Sequence, residues 1–169
     1  MSMFKGYRRY PLKSKEAMAL LREASNKLKM DLDKVFGAYV KVEHVDMDFG
    51  ELFLINGIPA LFRNERGVLP TLFFEKFVAY APKVVVDMGA VPHICNGADV
   101  MAPGIVRFEG NFDRGDLTVV VDEKHGKPIA IGEIAYSSEE APRIKRGVIV
   151  KNVHFVGDKV WNALKTLRV

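Results

Sequence analysis

The 169-residue sequence has no glutamine, one cysteine and one tryptophan. Cys95 by itself excludes an intrachain disulfide and a cysteine-based zinc site. The four histidines, His44, His93, His125 and His154, are scattered, and no two stand at helical ligand spacing. That argues against a structural metal, and no metal or other cofactor is expected. No apolar run approaches the ~18 residues that a membrane span requires. Residues 1–15 hold five basic groups (Lys5, Arg8, Arg9, Lys13, Lys15) and no acid. No apolar stretch follows them, so this start does not read as a secretory signal, and a cytoplasmic protein is expected. A glycine-rich nucleotide loop and a Walker motif are also missing. Asp46 and Asp48 could imitate a carboxylate pair, but beside Phe49-Gly50 they read as a turn. No nucleophile, base and orienting group can be assembled, so no catalytic residue is assigned.

What is present is ordinary in amount and uneven in placement. Hydrophobic residues make up 49% and charged ones 27%, as in most globular chains. The net charge of +4 is spread thinly, with 13 basic against 10 acidic side chains in residues 1–80 and 12 against 11 in 81–169. Neither half is a basic block. Local clusters carry more information: Arg143, Lys145, Arg146 and Lys151 occur with no acid between Ala141 and Gly157. Such a run is commonly a solvated face and gains meaning only from its surroundings. The missing glutamine, with many Lys, Arg and Glu, leans towards a heat-adapted composition.

Along the chain, residues 14–30 are the clearest helix, with Ser14 as cap and Ala17, Leu20, Leu21, Ala24 and Leu28 recurring on one face. A short helix is expected over Leu32–Phe36 behind Asp31, stopping at Gly37. Alternation then predicts a strand over 38–45. Two strands, 51–55 and 58–63, flank Asn56-Gly57, a strong hairpin signal because both positions tolerate positive φ. After a turn at 64–67, the spacing of Leu72, Phe73, Phe77 and Tyr80 predicts a helix over 70–80. The second half reads as short strands with glycine corners (83–86, 98–106, 117–122, 128–136, and one between Gly147 and Gly157). Asp158 then opens a final helix carrying Trp161, Leu164 and Leu167, with Trp161 expected in the core. Ala81-Pro82 is the expected boundary, because a residue before proline resists helix. The basic-aromatic stretch 4–10 fits either an RNA contact or an edge strand.

Residues 87–106, DMGAVPHICNGADVMAPGIV, hold two small-residue corners around one short helix. This arrangement brings bare backbone amides to the surface, which suits gripping a nucleic-acid backbone. The order of elements resembles the opening of a PUA domain, the RNA-binding module named after pseudouridine synthases and archaeosine transglycosylases. Gly115-Asp116 with LTVVVD, KPIAIGEIAYSSEE (127–140) and RGVIVKNVHFVGDKVW (146–161) resemble its later strands and tail in order. The runs IPALFRNERGVLPTL and PTLFFEKF before the boundary are similar to the malignant-T-cell-amplified-sequence proteins, also called translation-machinery-associated proteins. The resemblance implies an α+β N-terminal domain over residues 1–81, followed by a C-terminal PUA β pseudo-barrel with short helices over 82–169. It further implies a non-catalytic RNA-binding adaptor of translation. Its partners would be the small ribosomal subunit and a tRNA acceptor end or ribosomal RNA, with a SUI1-domain protein in eukaryotic relatives. A second expectation is a substrate-recruiting subunit of an RNA-modification complex, and a third is a module that binds protein only.

Within this frame the candidate RNA contacts are Gly89, Ala90, Gly97 and Ala98 through backbone, and His93 and Asn96 from the short helix by stacking or hydrogen bonding. Gly89 taken alone would be a plain turn glycine. Arg107 is a phosphate candidate, while Asp99 contacts RNA or only orients the loop. Lys145, Arg146, Gly147 and Lys151 offer sequence-independent phosphate binding. His154 resembles a position that the family places near the groove.

Overall fold

The computed structural model describes residues 8–167, which divide into two compact units. One holds the chain through Phe77 together with the segment from Lys159 onward; the other is Val78–Asp158. Among the described residues no helix is long and apolar enough to cross a membrane.

The first unit is a five-stranded antiparallel sheet with helices. Its strands run in the order β1 (Arg9–Pro11), β2 (Val42–Met47), β3 (Gly50–Ile55), β4 (Ile58–Asn64) and β5 (Gly67–Pro70). Helix α1 (Ser14–Leu28) buries the expected stripe of Ala17, Leu20, Leu21, Ala24 and Leu28. Its cap is Lys13, with Ser14 already helical. Helix α2 (Leu32–Phe36) follows Asp31, whose carboxylate accepts from the N–H groups of Asp33 and Lys34 at 3.1 and 3.3 Å. Asn56 and Gly57 have φ of 50° and 82°, the mirror-image turn that matches strand twist.

Three expectations shift here. The strand predicted over 38–45 starts at Val42, because Lys41 is tied to Asn56 through two hydrogen bonds of 2.8 Å that close the hairpin end. The helix predicted over 70–80 is only α3 (Glu75–Tyr80), and Gly67–Pro70 is instead a fifth strand. Thr71 explains the difference. Its N–H donates to Ala60 O, its hydroxyl donates to Pro59 O at 2.6 Å, and Phe73 N–H donates to that hydroxyl. These long-range bonds hold the segment extended while Leu72, Phe74 and Phe77 still reach the core. Finally, α5 (Lys159–Leu167) groups with this first unit rather than with residues 82–158. It contacts β4, buries Val160, Ala163 and Leu164, and sets the half-buried Trp161 ring 4.8 Å from Phe73. Of the stretch 4–10, residues 4–7 lie outside the described residues, and Arg9–Pro11 is an edge strand paired with β2.

The second unit contains β6 (Lys83–Val86), α4 (Val91–Ile94), β7 (Val100–Met101), β8 (Ile105–Glu109), β9 (Leu117–Asp122), β10 (Pro128–Ile134) and β11 (Val148–Phe155). The sheet order is β7-β11-β10-β9-β6-β8, antiparallel except for β6 against β9. Strands β7 and β8 therefore sit at opposite ends of the order, yet only the 3₁₀ turn Ala102–Gly104 joins them. A flat six-stranded sheet would separate its edges by about 24 Å, and three linking residues reach about 14 Å at most. The sheet must curl, and it does so through register shifts at Val85/Val86, Ile131/Gly132 and Val148/Val150. At Gly132 a Cβ would collide with Val150 and with the Lys151 carbonyl, so the bend needs glycine. Val84, Val86, Val120, Ile149 and Val150 fill the interior, with Ile94 of α4 packed onto them.

Candidate nucleic-acid interface

Three segments of the second unit meet at the Ala102–Gly104 turn. The Asp87 N–H donates to Gly104 O at 3.0 Å, and the Ala102 N–H donates to Gly147 O at 2.9 Å. Asp87 also shapes its own loop, because its carboxylate accepts from the Ala90 N–H at 2.8 Å. Gly104 lies close to the Asp87 loop: a Cβ there would stand 3.2 Å from that of Ala90. Gly89-Ala90 and Arg146-Gly147 are thereby drawn to the same short turn.

A second tie runs through Asn152 on β11. Its Nδ2 donates to Ile94 O at 3.1 Å and to Ala98 O at 3.0 Å, while its backbone N–H donates to Asp99 Oδ1 at 2.9 Å. These bonds fix the loop that leaves α4. Gly97 adopts φ of 97° there, a left-handed value that glycine takes without strain. His93 on α4 and Asn96, Gly97 and Ala98 on this pinned loop are exposed. Beneath it Cys95 is half-buried, and burial pushes its thiol pKa up, which keeps it protonated and unreactive.

Charge gathers beside the turn. Lys145 and Arg146 are exposed there, and among the described residues neither has an acidic partner. Arg107 is also exposed, and its Nε donates to Glu109 Oε2 at 3.0 Å. A solvent-facing pair of this kind holds weakly and can be exchanged for a phosphate. Arg107 and Lys145 line one open cleft of about 670 Å³, together with Ile105, Phe108, Ile144 and a single acid, Glu139. Val106, which lines the cleft, is exposed, as are Met88, Met101 and Val148, all at 39–47%. Met101 and Val148 are direct cross-strand partners and so share a face. Cations for phosphates next to apolar surface for unstacked bases is the combination that single-stranded or looped RNA needs.

The structure thus brings Gly89, Ala90, Lys145, Arg146 and Gly147 to one turn, and His93, Asn96, Gly97 and Ala98 to the loop pinned above β11. Arg107 joins Lys145 at the cleft. Three candidates fall elsewhere. His154 is fully buried, with Nδ1 2.9 Å from Asp158 Oδ2, and the same carboxylate accepts from Phe155 N–H. A ring with no exposed surface cannot touch RNA, so the expected contact at His154 is corrected to a core role. The i, i+4 spacing of His154 and Asp158 was the available signal. Asp99 is engaged by the Asn152 N–H and orients the loop. Lys151 stands across the ladder from Glu133, and strand alternation turns it to the face opposite Asn152. Asn152 itself escaped the sequence reading, although an asparagine inside a valine-rich strand is a recognisable oddity.

Comparison with known proteins agrees with this geometry. Residues 82–156 match the family model described as the PUA domain. An uncharacterized protein of Methanocaldococcus jannaschii is 36% identical over 156 residues, covering 92% of this chain and 96% of that one. Translation machinery-associated protein 20 of Schizosaccharomyces pombe is 31% identical over 119 residues, which covers 67% of this chain and 66% of the relative. Among solved structures, a PUA domain protein from Aeropyrum pernix superposes with a TM-score of 0.83 at 26% identity, covering 96% of this chain and 94% of that one.

Proposed function

This chain belongs to the PUA-domain proteins of the malignant-T-cell-amplified-sequence and translation machinery-associated family, and from that premise we propose that it is a non-catalytic RNA-binding adaptor of translation. The C-terminal unit would hold the acceptor end of a tRNA or a ribosomal RNA helix, and the protein would act on the small ribosomal subunit in initiation, reinitiation or recycling. A cytoplasmic location and a SUI1-domain partner belong to the same reading. The observation that carries it is the edge at Ala102–Gly104, where Lys145 and Arg146, without an acidic partner among the described residues, stand beside exposed Met101 and Val148. Nothing at this edge supplies a nucleophile with its base, so binding is its chemistry.

Crosslinking in cells followed by sequencing of the attached RNA tests the proposal. Reads from tRNA acceptor stems or small-subunit RNA, with co-sedimentation on small subunits, are expected. Reads confined to RNA-modification substrates, with copurification of a modifying enzyme, would replace the adaptor with a recruiting subunit.

A further inference from the structure

On one face of the N-terminal sheet, His44, Asp46 and Glu51 converge. Asp46 and Glu51 are direct partners across β2 and β3, and His44 lies two residues before Asp46 on the same face. The His44 Nδ1 is 3.4 Å from Glu51 Oε2 and 3.9 Å from Asp46 Oδ1, and the three ligand atoms lie within 4.8 Å of one another. We propose that these residues bind a divalent transition-metal cation of the zinc class. Tetrahedral zinc with bonds of 2.0–2.2 Å separates its ligand atoms by about 3.3–3.6 Å, so small carboxylate rotations complete the set. One imidazole with two carboxylates suits zinc, cobalt or nickel better than magnesium or calcium.

Two observations bear on the site. First, Nδ1 is buried and among the described residues makes no hydrogen bond, although it is aimed between two carboxylate oxygens, the position from which a nitrogen and two acids can share a cation. Second, the far oxygen of each carboxylate is already occupied. Tyr10 Oη donates to Asp46 Oδ2 at 2.8 Å, and Arg63 Nη1 stands 3.7 Å from Glu51 Oε1. Each acid thus keeps one oxygen towards Nδ1, and Tyr10 and Arg63 stand where outer partners orient ligating carboxylates. The Tyr10 ring meets the imidazole edge-on at 4.0 Å and limits its rotation. The histidine scan at helical spacing misses this group, because its ligands follow strand spacing and cross a hairpin.

The test uses the full chain, stripped with a chelator and titrated with cobalt(II) chloride and then zinc chloride. The expected result is one saturable site at micromolar metal, with visible cobalt bands that zinc bleaches. His44→Ala should abolish it, and Tyr10→Phe should weaken it by roughly tenfold, the lower end of an outer-partner loss. Absence of saturable binding, or binding unchanged in His44→Ala, overturns the proposal. Should His44→Ala fail to fold, nitrogen-15 spectra of the wild-type histidines decide: zinc must shift the His44 Nδ1 signal, and shifts confined to other histidines overturn the site.

Discussion

Two arginines of the N-terminal unit are held by glutamates: Arg9 by Glu43 at 3.0 Å, and Arg63 by Glu23 at 3.0 Å and Glu51 at 3.7 Å. At the β7–β11 edge of the C-terminal unit, Lys145 and Arg146 face solvent, and among the described residues no acid answers them. A paired surface charge adds at most about 1 kcal/mol and offers little to an incoming polyanion. An unanswered cation in water costs the fold little, and it gains affinity for RNA by displacing condensed counterions. The N-terminal unit holds the larger number of basic residues, 16 against 9. The difference in what those residues face, not in their number, separates a structural charge from a binding one.

The strongest way to break this contrast is to reverse the free charges. Lys145→Glu with Arg146→Glu should lower RNA affinity more than tenfold at low salt and reduce the log–log salt slope by about two units. Filter binding across a salt series reads both quantities. Next in size is a backbone change. Gly132→Ala forces a Cβ onto Val150 and the Lys151 carbonyl, and should destabilise the C-terminal unit by about 1–3 kcal/mol in denaturant melts.

Asn152→Ala sharpens the comparison in a different manner. It strips Ile94 O and Ala98 O of their donor, with an expected loss of about 1–2 kcal/mol. Amide exchange should rise over residues 94–99, and RNA affinity should fall although no positive charge is touched. A smaller effect concerns pH. Asp122 accepts from the His125 N–H first and also from Lys127 N–H, and these bonds hold its carboxyl below its ordinary range. Its contribution is therefore complete above the ordinary value of about 3.9 and disappears as pH falls through the depressed one. Thermal unfolding should show Asp122→Asn less stable than wild type at neutral pH, with the gap closing in strong acid. The smallest effect is the control: Arg9→Ala should change stability by less than about 1 kcal/mol and leave the salt slope of RNA binding untouched.

Much of the fold was legible because its signals are local. The Asn56-Gly57 turn, the Asp31 cap and the stripe on α1 each depend on neighbours a few residues away, and each occurs where the pattern puts it. The helix predicted over 70–80 failed for the opposite reason. Its apolar spacing is real, but Thr71 bonds to Pro59 and Ala60, and no window of a dozen residues contains that choice. The resemblance to PUA proteins brought out the family and the basic-glycine edge. It also suggested His154, whose burial depends on Asp158 closing over the ring from the start of α5. Asn152 and the cleft shared by Arg107 and Lys145 stayed hidden, since both arise only when strands distant in sequence meet around the curled sheet.

The most direct test of the binding edge is to irradiate the protein with bound tRNA and sequence the peptides that carry crosslinked nucleotide. Crosslinks within 88–98 and 143–148 are predicted. Crosslinks confined to β1 and α1, with none on either C-terminal segment, would contradict the assignment.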